Sequence, residues 1–241
     1  CFLFSSVGFF FSCITPSASG GQPAQIYYMK KKKIPIPVST QVLLIVTITY
    51  KLVLVLLGLG IAIFGQKFIH TYIDDVQWVF YLGLVLNVVC VAGMVLFAFH
   101  PSLAKAFVVK GSRLLEKMRL LRHKKSREEK LAASMEKYNQ TADYMMGHFG
   151  MLVVVFIITV VQRFSLFAAT WFVYKAFGLA GASAGLIILM QGAIAVAVDM
   201  LPLPGGMGIS EKLFMEMFLP IFGSKLLLPG MILSRGLGYY T

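Results

Sequence analysis

Charged residues are scarce in this chain of 241 residues. Aspartate, glutamate, lysine and arginine make up 13% of it, whereas a soluble domain usually carries about 25%. Hydrophobic residues make up 58%, and they occur in runs long enough for helices to cross a bilayer. This composition excludes an ordinary water-soluble domain and predicts an all-α polytopic integral membrane protein.

Residues that bind metals or carry out covalent chemistry are also few. The three cysteines, Cys1, Cys13 and Cys90, have no paired spacing, and the four histidines share no ligand spacing. The sequence lacks the phosphate-binding loop of ATPases, the hydrolase nucleophile elbow, the zinc-protease motif and the dinucleotide-binding glycine motif in a plausible context. We therefore expect no metal, no cofactor and no catalytic residue in this chain.

The net charge of +12 is concentrated in two basic segments. One is Lys30–Lys33, and the other is residues 100–147, which we interpret as an amphipathic connector on the membrane surface; a solvated connector is the alternative. Basic loops beside spans face the cytoplasm and attract anionic lipids, so we expect no nucleic-acid partner. The loop predicted at residues 66–77 carries Asp74 and Asp75 and should lie outside.

The apolar pattern predicts a single transmembrane domain over residues 1–241, built as a bundle of about six to seven apolar segments. The chain opens without a methionine inside an apolar run and stops without a polar tail, so we expect a fragment. The expected segments are residues 1–14, 38–65, 78–99, 148–177, 182–200 and 207–222, with a turn at 223–225 before a last span.

Two of these segments are interrupted by proline and glycine. Residues 15–25 read TPSASGGQPAQ and residues 201–211 read LPLPGGMGISE. A broken helix is tolerated at membrane depth where it is buried in protein or lines a cavity, and paired broken helices point to a substrate site. Ordinary turns are the alternative. The candidate lipid-binding residues at the breaks are Thr15, Pro16, Ser19, Gly20, Gly21, Pro204, Gly205, Gly206 and Gly208.

Four ionisable residues stand beside the breaks or inside apolar runs, where they are costly and point to function. Glu211 could bind a proton, a cation or a cationic headgroup, or it could only satisfy free amides at a helix start. Asp199 directly precedes the second break. Arg163 could pair with one of these carboxylates, with a lipid phosphate or with a backbone carbonyl. Lys51 interrupts the 38–65 span.

The two interrupted motifs, together with Arg235 and the Tyr239-Tyr240 pair, resemble the membrane domain of the lysylphosphatidylglycerol synthase family. The resemblance covers nearly the whole chain. It implies a protein of the plasma membrane of a bacterium that handles aminoacylated or glycosylated lipids, as the stand-alone flippase-like members do. In two-domain members a soluble domain transfers lysine from lysyl-tRNA to phosphatidylglycerol, and no such domain is visible in this sequence.

From the residues and the resemblance together, we expect a flippase-like protein that translocates an anionic or aminoacylated phospholipid. The glycine pairs would hold the lipid phosphate, and Glu211 and Asp199 would face a cationic headgroup; Arg163 and Arg235 complete the candidate lipid site. One alternative is a module that presents phosphatidylglycerol to a separate aminoacyl transferase, and another is a lipid-binding scaffold. A homo-oligomer stays open.

Overall fold

The fold is helical throughout the part of the chain that the computed structural model describes. That part is residues 2–15, 20–99, 147–201 and 208–239, with 136, 138, 140, 141 and 144. The all-α prediction is confirmed. The helices are α1 (Phe2–Ile14), α2 (Gly21–Lys31), α3 (Ile36–Phe64), α4 (Gln66–Tyr72), a 3-10 turn (Asp74–Val76), α5 (Gln77–Phe99), α6 (Phe149–Ala176), α7 (Ala184–Val198) and α8 (Ile209–Tyr239).

By length and composition four helices, α3, α5, α6 and α8, could cross a membrane, and α1 and α7 are shorter apolar helices. Of the four, α8 is interrupted at Gly223. The loop predicted at residues 66–77 is instead helical, as α4 and the 3-10 turn. Residues 66–77 are rich in polar side chains and contain no long apolar run. This composition suits a short helix at the membrane surface rather than a span. The predicted connector, residues 100–147, lies largely outside the described residues.

Helix α8 is folded into two antiparallel arms. A straight helix would hold Glu211 and Arg235 about 36 Å apart, at 1.5 Å per residue, yet their side chains form an ion pair. The reversal occurs at Gly223, whose φ of 66° falls in the left-handed region that glycine adopts without strain. We call residues 209–222 α8a and residues 224–239 α8b.

The first break is the tip of a hairpin formed by α1 and α2. Gln25 Nε2 donates to the carbonyl of Phe4 at 3.0 Å, and Gly21 packs against Gly8, so the two helices are antiparallel. Near the tip, Gln22 Nε2 donates to Thr47 Oγ1 of α3 at 2.6 Å. The open end of this first hairpin therefore lies near the start of α3, and its tip lies about half-way along α3.

The second break is the tip of a hairpin formed by α7 and α8a, which comes from the opposite end. Asp199, just after α7, contacts Tyr50 and Lys51 in the middle of α3. Helix α8a then returns, because the ring of Phe222 packs against Tyr174, near the end of α6, at a centroid distance of 5.6 Å. Arg163 of α6 contacts Tyr50, and farther along both helices Phe167 and Leu57 both lie beside Gly192. Helix α6 therefore runs parallel to α3, and its end lies near the end of α3.

The tips of the two hairpins therefore meet the same part of α3. Thr47, Tyr50 and Lys51 lie within one helical turn and share one face, because residues three and four apart are neighbours on a helix. Each hairpin is followed by a helix that runs back alongside it. Helix α3 follows the first hairpin, and α8b, which reaches Glu211 through Arg235, follows the second. Oppositely directed broken helices that meet at the bilayer midplane are typical of transporters with inverted repeats.

Close packing against α5 holds the end of α7. A Cβ atom on Gly83 would lie 2.5 Å from the carbonyl oxygen of Val196 and 2.6 Å from that of Ala197. The buried Asn87 donates to the carbonyl of Gly83 at 2.9 Å and to that of Val196 at 3.3 Å. The residues just before Asp199 are therefore fixed by backbone contacts as well as by apolar packing.

Candidate functional site

An ion pair at the second tip joins Asp199 to Lys51. Lys51 Nζ lies 2.5 Å from a carboxylate oxygen of Asp199, and the two side chains are only 11% and 12% exposed. The Tyr50 hydroxyl donates to the other carboxylate oxygen. Lys51 Nζ also lies 2.9 Å from the sulfur of Met200. Both oxygens of Asp199 are thus engaged by two neighbouring residues of α3.

Arg163 of α6 reaches the same group of side chains through an aromatic ring. Its guanidinium carbon lies 3.8 Å from the centre of the Tyr50 ring, which is a cation–π contact. Its buried Nε atom has no hydrogen-bond partner within the described part of the chain. Arg163 is therefore linked to Asp199 by way of Tyr50. We call Tyr50, Lys51, Arg163 and Asp199 the mid-depth cluster.

The mid-depth cluster carries an excess of positive charge. Lys51 and Arg163 are cations and Asp199 is the one anion among these side chains. In the sequence, α3 holds no other charged residue, and α5 and α7 hold none. Because charge at membrane depth is costly, a surplus cation there points to an anionic partner.

A second ionic group lies at the start of α8a. The backbone amide of Gly208 donates to Glu211 Oε2 at 2.5 Å, and Arg235 of α8b forms an ion pair with Oε1. Arg235 Nη2 also donates to Ser210 Oγ at 2.5 Å. Glu211 thus satisfies an amide at a helix start and joins α8a to α8b. The structure brings these two candidate residues, Glu211 and Arg235, together.

The first tip contains neutral hydrogen bonds. Thr15 Oγ1 accepts from the amide of Gly20 at 2.8 Å and donates to the carbonyl of Phe11 at 2.7 Å. A Cβ atom on Gly20 would lie 2.5 Å from Thr15 Cγ2, and one on Gly21 would lie 2.7 Å from the carbonyl oxygen of Gly8. These two glycines allow α1 and α2 to approach closely, and the Gly20 amide is already bonded.

Five candidate residues lie outside the described part of the chain, so their roles stay predictions. They are Pro16, Ser19, Pro204, Gly205 and Gly206. Gly208, which directly follows the undescribed stretch, has a φ of 88°. The backbone there is left-handed. Glycine adopts this conformation readily, whereas a residue with a side chain would be strained.

Sequence reasoning did not find the aromatic centre of the mid-depth cluster. Tyr50 carries both the contact to Arg163 and the hydrogen bond to Asp199. The available signal was a phenol directly before Lys51 in an otherwise apolar run. Among the described residues, no group of three metal-ligating side chains is present.

Comparison with known proteins gives one match. No curated protein and no solved structure matches the chain. The family described as "Lysylphosphatidylglycerol synthase TM region" matches residues 1–241, the whole of the sequence. The match and the apolar helices describe a multi-pass membrane region, with no separate catalytic domain within these residues. The chain therefore belongs to the family of the lysylphosphatidylglycerol synthase transmembrane region.

Proposed function

We propose that this protein is a flippase-like membrane protein that translocates an anionic or aminoacylated phospholipid, such as lysylphosphatidylglycerol. The observation that carries the proposal is the meeting of two oppositely directed hairpin tips half-way along α3. Gln22 marks the first tip at Thr47, and Asp199 marks the second at Tyr50 and Lys51. A headgroup in transit needs polar partners at this depth.

The energetics favour a role in binding over a purely structural one. A charge at the centre of a helix in a bilayer costs about 2.5–3.5 kcal/mol. An apolar residue at Lys51 or Arg163 would avoid this cost. Their presence supports a site through which a charged headgroup passes. Rocking of the hairpins around the cluster would open it to each leaflet in turn.

The second hairpin supplies the partners of the headgroup in this proposal. In this proposal backbone amides near Gly205 and Gly206, which lie outside the described residues, would hold the phosphate. Asp199 and Glu211 are the carboxylates for an ammonium group. Because Asp199 already pairs with Lys51 and Glu211 with Arg235, an ammonium would bind at either carboxylate by displacing the cation that is paired with it.

Reconstitution tests the proposal directly. The full chain is incorporated into vesicles that contain trace fluorescent phosphatidylglycerol or lysylphosphatidylglycerol, and accessible lipid is bleached by an impermeant reductant. We expect transfer between leaflets well above that of protein-free vesicles. Asp199→Asn should slow it by about tenfold, the equivalent of one charge-assisted hydrogen bond. Lys212→Gln, which removes an exposed ion pair of α8a, is the matched control.

Transfer no faster than in protein-free vesicles would contradict translocation. The remaining function would be that of a module that presents phosphatidylglycerol to a separate aminoacyl transferase. Copurification with such a transferase would then support that function. If the Asp199→Asn variant transfers lipid as fast as the wild type, the mid-depth cluster is not part of the transport path.

We also propose that the end of the first hairpin opposite its tip faces the cytoplasm. The basic segment Lys30–Lys33 follows the hairpin, and basic loops beside spans face the cytoplasm. Single cysteines at Thr71 and Ser126, in a background without the native cysteines, can be probed in intact cells with an impermeant thiol reagent. Labelling at position 71 and protection at position 126 are expected. The reverse pattern would invert the topology.

A further inference from the structure

We propose that Arg163, held by the ring of Tyr50, is the ligand for the phosphodiester of a singly anionic phospholipid. This makes the mid-depth cluster selective for that lipid over its lysylated, cationic form. The inference rests on the proposed function, because it names the headgroup that the same site prefers.

The first step is the balance of charge. Lys51 and Asp199 neutralise one another at 2.5 Å, so the surplus charge of the cluster belongs to Arg163. A phosphatidylglycerol headgroup carries one negative charge and would neutralise it. A lysylated headgroup has two ammonium groups and one phosphate, so its net positive charge would add to the surplus. Both effects are strong at membrane depth because charges there are weakly screened.

The second step is the geometry of the guanidinium. The Tyr50 ring covers one side of Arg163, whose guanidinium carbon lies 3.8 Å from the ring centre. The N–H groups of a guanidinium lie in the plane of its fork. The buried Nε donor has no partner within the described residues. A planar fork with free donors matches two oxygens of a phosphate.

The third step is the support behind the ring. The Tyr50 hydroxyl donates to Asp199, which is fixed in turn by Lys51. Asp199 therefore acts through Tyr50 as a positioning residue for Arg163. Lys51 is a poorer phosphate ligand, because its ammonium group already contacts Asp199 and the sulfur of Met200.

The test measures which lipid stays with the protein. The full chain is purified from vesicles of phosphatidylcholine that contain equal small amounts of phosphatidylglycerol and lysylphosphatidylglycerol, and the retained lipids are quantified by mass spectrometry. We expect enrichment of phosphatidylglycerol over lysylphosphatidylglycerol by about tenfold, the worth of one charge-assisted hydrogen bond.

Variants at position 163 make the test specific. Arg163→Gln should abolish the preference, Arg163→Lys should retain part of it, and Arg163→Glu should reverse it. Tyr50→Phe keeps the ring and should weaken the preference less than Tyr50→Leu. Lys175→Gln removes an exposed cation of the same helix and should behave as the wild type. Elution as a monodisperse peak verifies that each variant is folded.

The outcomes separate this inference from the proposed function. Retention of lysylphosphatidylglycerol by the wild type, or an unchanged preference in Arg163→Gln, would overturn the inference while lipid transfer between leaflets could still be measured. Selective retention that depends on Arg163, without any lipid transfer, would support the inference and contradict translocation.

Discussion

The first hairpin closes its tip with neutral hydrogen bonds, whereas the second hairpin surrounds its tip with charges. Thr15 bonds the Gly20 amide and the Phe11 carbonyl. At the second tip, Asp199 and Glu211 each pair with a cation from another helix. The two breaks are thus held in different ways. Neutral hydrogen bonds hold the first, including that of Gln22 to Thr47 of α3, whereas ion pairs join the second to α3 and α8b.

The glycines of the two hairpins are also required for different reasons. Gly21 is required by the close approach of α1, since an added Cβ would meet the Gly8 carbonyl oxygen at 2.7 Å. Among the described residues nothing lies within 4 Å of a Cβ atom built on Gly208, which is required instead by its φ of 88°. One is a packing residue and the other a conformational one.

The largest effect should come from breaking the ion pair of the second tip. Asp199→Asn leaves Lys51 buried without a counter-charge, and breaking such a pair costs about 3–5 kcal/mol. We expect a marked fall in the thermal unfolding temperature of the detergent-solubilised protein. The double variant Lys51→Gln/Asp199→Asn should recover part of the loss. Equal stability of the single variant and the wild type would show that the pair contributes nothing.

The close contact between α5 and α7 should have the next largest effect. Gly83→Ala forces a methyl group against the carbonyls of Val196 and Ala197, and such overpacking costs about 1–3 kcal/mol. Gly93→Ala on the same helix is the matched control, because no described residue lies within 4 Å of its added Cβ. Chemical denaturation of both variants measures the difference. Equal unfolding midpoints would rule out the contact.

Glu211→Gln should have a moderate effect. It keeps an acceptor for the Gly208 amide but removes the charge that pairs with Arg235, so we expect a loss of about 1.5 kcal/mol. If the carboxylate also binds a cationic headgroup, retention of lysylphosphatidylglycerol should fall while that of phosphatidylglycerol persists. Arg235→Gln is the companion variant: similar destabilisation without that change in lipid selectivity would assign headgroup binding to Glu211. Equal weakening of all lipids would leave the residue a structural role.

The smallest effect is expected at the first tip. Thr15→Val removes two neutral hydrogen bonds and keeps the shape of the side chain, at a cost of about 1 kcal/mol. Thr15→Ser keeps the hydroxyl and should be close to the wild type. Thermal unfolding compares the two. A loss at Thr15 as large as that at Asp199 would contradict the difference between the hairpins.

Sequence patterns could predict the long helices and the position of both breaks, but not the short helix α4, which was expected to be a loop. Apolar runs and the Pro-Gly segments mark them directly, and the expected span at residues 38–65 is observed as Ile36–Phe64. The directions of the hairpins could not be predicted, because they depend on contacts such as Gln22 with Thr47 and Phe222 with Tyr174. Such pairs are distant in sequence and leave no periodic signal.

The candidate site was predicted in part for the same reason. A charge inside an apolar run costs free energy in a membrane, and this alone identifies Lys51, Arg163, Asp199 and Glu211 as candidates. Which of them pair is a tertiary property, and so is the use of Tyr50 as a platform. The close contact at Gly83 was also invisible, since a glycine in an apolar helix has the same appearance whether it faces a carbonyl or lipid.

The position of the cluster half-way along α3 has an electrical consequence. A unit charge that crosses a membrane exchanges about 2.3 kcal/mol with each 100 mV of transmembrane potential. A lipid that reaches the cluster from either leaflet crosses about half of that field. Binding of an anionic lipid at Arg163 should therefore depend on voltage by about 1 kcal/mol per 100 mV, with opposite sign for entry from the two sides.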